Sequence, residues 1–272
     1  MEHLASFLDR HRDVIRVQIT RARGSAPRSE GTVMFISSTA LYGTIGGGQL
    51  EYMAIDTARA LLNSGGLATR MDVPLGPEIG QCCGGRVELA LDRLTDALRA
   101  HAMMEDAAER DARPEVYIFG AGHVGRALAG FFAQLPVRAV LVDSRAEELR
   151  LCMAPVERVL SAMPEADIRA ARPGAAFIIL THDHALDFLL TAEALARPDA
   201  AYVGMIGSAT KRAKFEGFCK AQAPRTATKA LICPIGAQGS PDKRPELIAA
   251  FVVAEVMAAL TTTNTRQTTA VI

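Results

Sequence analysis

The pattern of apolar and polar positions divides the chain into two dissimilar halves. Up to residue 91, short alternating segments are separated by glycine-rich turns, and one stretch from Gln49 to Asn63 has helical apolar spacing. This pattern predicts several strands and one main helix. From residue 116 onward, β-branched and apolar runs alternate with helical segments, which predicts βαβ units and a parallel sheet. The predicted strands are residues 14–20, 31–36, 40–45, 68–73 and 86–91, then 116–119, 137–142, 159–161, 176–180 and 201–206.

A charged helix predicted over residues 94–110 and the stretch Asp111–Pro114 separate the halves. The sequence therefore predicts an α/β protein in which a smaller N-terminal α/β domain precedes a Rossmann-like domain with a doubly wound parallel sheet. The predicted domains are residues 1–110 and 114–240, followed by a C-terminal helix at 241–262, whose apolar stripe would pack on its own sheet or in a homodimer.

Composition excludes some partners. Thirty basic residues balance thirty acidic ones among 272 residues, so there is no electrostatic reason to expect nucleic acid or an anionic membrane as partner. The N-terminus is charged and lacks the apolar core of a signal peptide, and no apolar run approaches the roughly 18 residues of a membrane span. We therefore expect a cytoplasmic protein.

The glycines Gly120, Gly122 and Gly125 follow a predicted strand and open a predicted helix, and Asp143 ends the next strand. This order is typical of a dinucleotide-binding turn, in which amides approach a pyrophosphate and the acid accepts from a ribose hydroxyl. Arg145 nearby would suit a 2′-phosphate, so NAD and NADP both stay open. The alternative is a packing turn that binds nothing.

Three consecutive glycines, Gly46, Gly47 and Gly48, stand before the first-half helix. Free amides and the helix dipole there favour an anion or phosphate cradle. A turn that needs positive φ is the alternative. Glu51 would either cap these amides or accept from a ligand amino group, and Arg28 is either a fork for an oxyanion or an exposed loop arginine.

Two adjacent cysteines, Cys82 and Cys83, lie between Gln81 and a pair of glycines. Neighbouring cysteines bridge only through a strained ring, so this pair is better suited to holding a soft metal or exchanging sulfur as thiolate. The other three of the five cysteines have apolar or helical surroundings and are expected to be buried.

Polar residues follow the predicted strand 176–180: His182, Asp183, His184 and Asp187. At the carboxyl edge of a parallel sheet they could bind a metal or move protons. Equally, Asp183 could be the N-cap of a helix. Further on, Lys211 and its neighbour Arg212 would either touch phosphates or be solvated helix charges.

The motifs together resemble the xanthine dehydrogenase accessory protein family (XdhC/CoxI) over nearly the whole chain. The matching segments are residues 24–28, 43–51, 81–85, 119–125, 142–145, 181–184 and 204–208.

This resemblance implies a cytoplasmic maturation factor rather than a metabolic enzyme. Members bind the molybdenum cofactor (Mo-molybdopterin), hold it while a cysteine desulfurase adds the terminal sulfido ligand, and deliver it to apo xanthine dehydrogenase or a related molybdenum hydroxylase. By this resemblance, Cys82 and Cys83 would lie near molybdenum. The cofactor-binding candidates are Arg28, Gly46, Gly47, Gly48, Glu51, Gln81, Cys82, Cys83, Gly120, Gly122, Gly125, Asp143, His182 and His184.

Two other functions stay open at this stage. The complete dinucleotide motif would also suit an NAD(P)-dependent oxidoreductase that uses His182 or His184 as acid–base. A nucleotide-sensing partner of a dehydrogenase would bind without turnover.

Overall fold

The computed structural model describes residues 3–76, 84–222, 227–237 and 239–269. The chain divides into two compact units, Met1–Glu109 (unit 1) and Arg110–Ile272 (unit 2). Each unit is described by itself below.

Unit 1 is built on a five-stranded antiparallel sheet with the strand order β3-β2-β1-β5-β4. Its elements are α1 (Leu4–Arg10), β1 (Ile15–Arg23), β2 (Val33–Ile36), β3 (Leu41–Gly43), α2 (Gly48–Ser64), β4 (Ala68–Pro74), β5 (Arg86–Arg93) and α3 (Asp96–Asp111).

Helix α2 covers one face of this sheet because its apolar positions recur at helical spacing. Leu50, Ala54 and Ala58 are buried against alternate residues of the central strands, such as Val17 of β1 and Leu89 of β5. Buried side chains of α1 form a second, smaller cluster with Phe35 of β2 and Ala102 of α3. The glycine-rich turns at the strand ends are thereby fixed to a packed sheet.

Unit 2 contains a five-stranded parallel sheet with the order β10-β9-β6-β7-β8. Its elements are β6 (Glu115–Phe119), α4 (His123–Phe132), β7 (Arg138–Asp143), α5 (Ala146–Arg150), β8 (Glu157–Leu160), α6 (Pro164–Ala170), β9 (Ala176–Ile179), α7 (His184–Leu195), β10 (Tyr202–Met205), α8 (Ala209–Gln222), a 3₁₀ turn (Thr228–Ala230) and α9 (Pro245–Thr269).

Strand β6 lies between β7 and β9, so the winding direction reverses there, as in a Rossmann fold. Both faces of the sheet are covered. One buried cluster contains residues of α4 and α9, and the other contains residues of α6, α7 and α8. The predicted Rossmann-like doubly wound sheet is confirmed.

Several element boundaries differ from the sequence prediction by two or more residues, and two of them have a visible cause. Strand β3 ends at Gly43 rather than near residue 45, because the next residues turn toward Glu51. Helix α9 runs to Thr269, beyond the predicted end at 262; the hydroxyls of Thr261 and Thr262 donate back to helix carbonyls. Ile232 pairs in parallel with Gly204, which extends the sheet past β10.

The prediction that no apolar run approaches the length of a membrane span is wrong for α9. Residues Pro245–Thr262 form a helical segment long and apolar enough to cross a membrane by length and composition, with a mean hydropathy of 1.6. Ala249, Val252, Val256 and Leu260 of this segment are buried in the core of unit 2 beside α4 residues. These four positions are the 22% of the segment that is buried, so packing in that core accounts for one side of the helix only.

Candidate functional site

The glycine turn of unit 1 is organised by Glu51, in the first turn of α2. Its Oε2 atom accepts from the amide of Ile45 (3.0 Å), the amide of Gly47 (3.1 Å) and the hydroxyl of Thr44 (2.5 Å). The Gly46 amide donates to the Thr44 hydroxyl oxygen (3.0 Å). Of the two roles predicted for Glu51, the structure therefore has it capping the turn.

Two amides of this turn stay available for a ligand. Among the described residues, the amides of Gly48 and Gln49 at the start of α2 have no hydrogen-bond acceptor. The side chain of Arg28 is exposed and likewise makes no hydrogen bond or ion pair within the described part of the chain. A helix N-terminus with free amides beside an unpaired guanidinium is suited to an anion.

Arg28 is held near this turn by close packing of the preceding proline. Gly46 has φ +120°, and a Cβ there would lie 2.6 Å from Cβ of Pro27 and 3.4 Å from Cγ of Arg28. Only glycine combines this φ with so close an approach. The positive φ that was one alternative from the sequence is therefore observed, and it leaves the amides of Gly48 and Gln49 open to a ligand.

The two glycines that follow the adjacent cysteines, Gly84 and Gly85, contact the beginning of the loop that carries Arg28. Ser25 forms a parallel bridge with Gly84, and a Cβ on Gly85 would lie 2.3 Å from the carbonyl oxygen of Ser25. Leu75 pairs with both glycines through amide–carbonyl bonds of 2.8 Å. Gln81, Cys82 and Cys83 lie outside the described residues, but the chain that follows them begins beside Ser25.

In unit 2, the Gly120–Gly125 turn packs tightly against the neighbouring strand. A Cβ on Gly120 would lie 2.3 Å from the Leu180 carbonyl oxygen, and one on Gly125 would lie 1.9 Å from the Gly120 carbonyl oxygen. A Cβ on Gly122 would have no other heavy atom within 4 Å, apart from its chain neighbours. Gly120 and Gly125 are therefore needed for the strand–turn–helix packing itself, whereas Gly122 leaves the open approach that a ligand would use.

The carboxylate of Asp143, at the end of β7, already has hydrogen-bond partners within the chain. Oδ2 of Asp143 accepts from the Ala121 amide (2.7 Å) and Oδ1 from the Arg145 amide (2.9 Å), while the Arg145 guanidinium contacts both oxygens. Burial acts to raise the pKa of Asp143, but hydrogen bonds from the Arg145 side chain and from the two amides outweigh it and lower the pKa. The predicted ribose acceptor is thus bonded within the chain itself.

The structure places His182 and His184 in different cavities. His182 lines the crevice at the carboxyl edge, a space of about 20 Å³ beside Gly120 and Asp143. His184 lines a separate cleft of about 450 Å³ with Lys211 and other residues of α8. Neither of these two cavities, as the described residues line them, is shared by both histidines.

The acids of the same motif have structural partners. Asp183 is the N-cap of α7 and accepts from the amides of Ala185 (2.7 Å) and Leu186 (3.4 Å). Asp187 is buried and pairs with Lys211. Within the described residues no group of three or more His, Cys, Asp or Glu side chains could hold a metal ion. The N-cap alternative for Asp183 is therefore the one observed.

Two contacts were missed from the sequence: the Asp187–Lys211 pair and the Arg145–Asp143 fork. Arg145 lies two residues after Asp143, and the prediction from the sequence was that Arg145 would suit a 2′-phosphate of a ligand. Asp187 and Lys211 each lie in the first turn of the helix after a strand. Because adjacent parallel strands end at one edge, this matching position is the signal that could have predicted the pair.

These observations define a class: a two-unit α/β protein with a glycine turn and free helix N-terminal amides on an antiparallel sheet, and a Rossmann unit with a small crevice beside its glycine turn. Comparison with known proteins makes this specific. The chain matches the family model described as the XdhC and CoxI family over residues 7–72 and that of the XdhC Rossmann domain over residues 116–256. It belongs to this family, as its motifs indicated.

One similar curated protein is the uncharacterized YqeB of Escherichia coli (strain K12), 26% identical over 204 residues. That alignment covers 71% of this chain and 34% of YqeB, so the chain spans about a third of its relative's length. A similar solved structure, described as a xanthine dehydrogenase from Bacillus halodurans, is 17% identical, covers 92% of both chains and has a TM-score of 0.77. At this identity, the second similarity shows the fold alone.

Proposed function

We propose that this protein binds the molybdenum cofactor as cargo, holds it for sulfuration and delivers it to xanthine dehydrogenase or a related molybdenum hydroxylase in the cytoplasm. The observation that carries the proposal is the meeting of three motifs in unit 1. Pro27 and Arg28 pack against Gly46, and Ser25 pairs with Gly84 directly after the two cysteines. A phosphate site and a thiolate pair are what a phosphorylated pterin carrying a metal–sulfur centre requires.

Each group has a distinct part in this proposal. The amides of Gly48 and Gln49, with the α2 dipole, would hold the pterin phosphate, and Arg28 would add a bidentate contact. Glu51 would position the turn through its Oε2 atom, which is bonded to three donors. Cys82 and Cys83 would contact molybdenum as soft ligands, and a cysteine desulfurase would supply sulfur to the bound cargo.

The test is to purify the full chain from cells that make the molybdenum cofactor and to measure molybdenum by elemental mass spectrometry and pterin by fluorescence. We expect cofactor on the native chain and roughly tenfold less on Arg28→Gln, the loss expected when a charge-assisted contact worth about 1.5–3 kcal/mol is removed. Arg12→Gln is the control, because Arg12 is also an exposed, unpaired side chain of unit 1 among the described residues.

The thiolate role is tested separately with Cys82→Ala/Cys83→Ala. We expect this variant to lose molybdenum while the Arg12→Gln control keeps it. Equal molybdenum retention by the double variant would remove the two cysteines from the proposal. Absence of molybdenum and pterin from the native chain would reject the cargo itself.

An NAD(P)-dependent oxidoreductase is less well supported. The crevice encloses about 20 Å³, enough for about one water molecule, and Asp143 is bonded to Arg145 and Ala121. A dinucleotide would have to open the crevice and displace Arg145. We therefore expect no calorimetric signal for NAD or NADP with the full chain; micromolar binding of either would favour the oxidoreductase or the nucleotide-sensing alternative.

A further inference from the structure

A second cleft in unit 2 lies at the amino-terminal edge of the parallel sheet. It has a volume of about 780 Å³ and is lined by residues 111–115, 172–174 and 198–201, which precede β6, β9 and β10, and by Leu260 of α9. Parallel strands place their nucleotide crevice at the carboxyl edge, so this cleft is separate from it. Its volume falls within the roughly 300–1,000 Å³ of small-molecule sites.

The acids that line this cleft are each bonded to an arginine. The pairs are Arg172 with Asp111 (2.9 Å), Arg138 with Glu115 (2.8 Å) and Arg197 with Asp199 (2.5 Å). Glu115 is almost fully buried and also accepts from the Arg172 amide (2.9 Å). Glu115 shares Arg138 with Glu157 (2.7 Å) and is also 3.5 Å from Arg172. Each carboxylate of the cleft therefore has an arginine partner and does not call for a metal ion or a cationic ligand.

Arg113 is the exception among the charged residues lining the cleft. Its guanidinium donates no hydrogen bond to any acceptor in the described part of the chain, and its Nε atom is buried without a partner. A buried donor without an acceptor costs about 1–3 kcal/mol. Arg113 therefore occupies an unfavourable resting position at the wall of a cleft large enough for a ligand.

The walls around this cation are about half apolar and half polar, and Pro114, Pro173, Pro198 and Leu260 contribute to the apolar half. One unpaired positive charge matches one negative charge, and the planar guanidinium matches a carboxylate through two parallel hydrogen bonds. We infer that this cleft binds a small monocarboxylate with an apolar body, through Arg113. The ligand would contact the Nη atoms, and a turn of the side chain into the cleft would give Nε its acceptor.

Hexanoate is a suitable probe, with hexanamide as its neutral counterpart and inorganic phosphate as the competing anion class. Binding to the full chain is followed by ligand-observed NMR titration. We expect saturable binding of hexanoate, none of hexanamide, and at least tenfold weaker hexanoate binding to Arg113→Gln. Phosphate binding without hexanoate binding would overturn the assignment, as would equal affinity of Arg113→Gln.

Arg59→Gln is the matched control, because Arg59 in α2 of unit 1 also has a buried Nε without a partner among the described residues. Its hexanoate affinity should be unchanged; an equal loss would show that the arginine substitution acts through general stability and would overturn the site. A diazirine-bearing alkyl carboxylate, mapped on the native chain by mass spectrometry, gives an answer even if Arg113→Gln does not fold. Attachment within residues 111–115, 172–174 or 198–201 supports the site, and attachment only elsewhere rejects it.

Discussion

Asp187 and Lys211 form an ion pair in the interior of unit 2, with Nζ 2.5 Å from Oδ2; the Asp187 side chain is fully buried and that of Lys211 is 12% exposed. The other oxygen, Oδ1, accepts from the amide (2.9 Å) and the hydroxyl (2.7 Å) of Thr181. The pair therefore connects the first turns of α7 and α8 to the end of β9. It fixes the carboxyl edge of the sheet on that side of the crevice.

Replacing only Lys211 should lower the free energy of unfolding. Lys211→Met would leave the Asp187 carboxylate buried and without its counter-ion, and breaking a buried pair in this way typically costs about 3–5 kcal/mol. The measurement is the free energy of unfolding of unit 2 in urea, followed by circular dichroism.

The control for this substitution is Lys214→Met, because Lys214 is an exposed lysine of the same helix. It should change the free energy of unfolding by less than about 0.5 kcal/mol. The double variant Asp187→Asn/Lys211→Met should recover much of the lost stability, since no buried charge remains. A single-variant loss no larger than that of the control would contradict the pairing.

The glycines of α4 offer a matched pair within one helix. Gly125→Ala would place a methyl group 1.9 Å from the Gly120 carbonyl oxygen. A methyl group at Gly130 would have no other heavy atom within 4 Å, apart from its own helix backbone and chain neighbours. We expect Gly125→Ala to destabilise unit 2 by more than about 2 kcal/mol, because backbone atoms must move. Gly130→Ala should be neutral or stabilising by up to about 1 kcal/mol, the helix-propensity difference. Thermal unfolding of both variants without any ligand checks this, and equal midpoints would mean that the close packing is absent.

This contrast explains what could be predicted from the sequence and what could not. The strand–glycine–helix–strand–acid order predicted the Rossmann unit correctly, because the packing at Gly120 and Gly125 demands those glycines whether or not a ligand binds. For the same reason the motif could not show whether a nucleotide binds. Asp143 has the position of a ribose acceptor, yet Arg145 and Ala121 occupy its oxygens.

In unit 1 the local turn was predictable, but its three-dimensional neighbourhood was not. Three glycines before an amphipathic helix predicted an open turn, and Glu51 one turn into the helix was a recognisable cap. The contacts of Pro27 with Gly46 and of Ser25 with Gly84 join segments far apart in sequence. Apolar periodicity carries no information on such pairings, so only the family resemblance suggested that the motifs act together.

The Asp143–Arg145 fork gives a pH-dependent contribution to stability. Burial opposes ionisation of Asp143, but the Arg145 guanidinium and the two amides lower its pKa below the usual 3.8. An acid with a lowered pKa in the folded state stabilises the fold above its unfolded pKa, and this contribution is lost as the pH falls through the folded value. Asp143→Asn should therefore destabilise unit 2 by about 1–3 kcal/mol at pH 7, and by less below pH 4.

Urea unfolding of the native chain and of Asp143→Asn between pH 3 and pH 7 measures this difference. Arg145→Gln should reduce the pH dependence, because it removes the largest contribution that favours the ionised acid. Glu147→Gln is a suitable control, since Glu147 is an exposed acid of the neighbouring helix α5. A difference that grows toward acidic pH would have the opposite sign and would contradict the observed bonds.

Cysteine reactivity separates the adjacent pair from the remaining thiols. Cys152, Cys219 and Cys233 are buried thiols. Burial raises the pKa of Cys233 more than the neighbouring Lys211 and Arg212 lower it, so this thiol stays protonated at neutral pH. Because the thiolate is the reactive form, iodoacetamide at pH 7.5 should label these three cysteines only after unfolding, and rapid labelling of the native chain should fall on Cys82 and Cys83.

Peptide mapping by mass spectrometry identifies each labelled cysteine. Unfolded protein supplies the full labelling of all five cysteines, and the variant Cys82→Ala/Cys83→Ala should lack the fast phase of labelling. Rapid labelling of Cys233 would show that its thiol is accessible. If the fast phase of Cys82 and Cys83 disappears when molybdenum cofactor is bound, the same two thiols are covered by the cargo, as the proposed function requires.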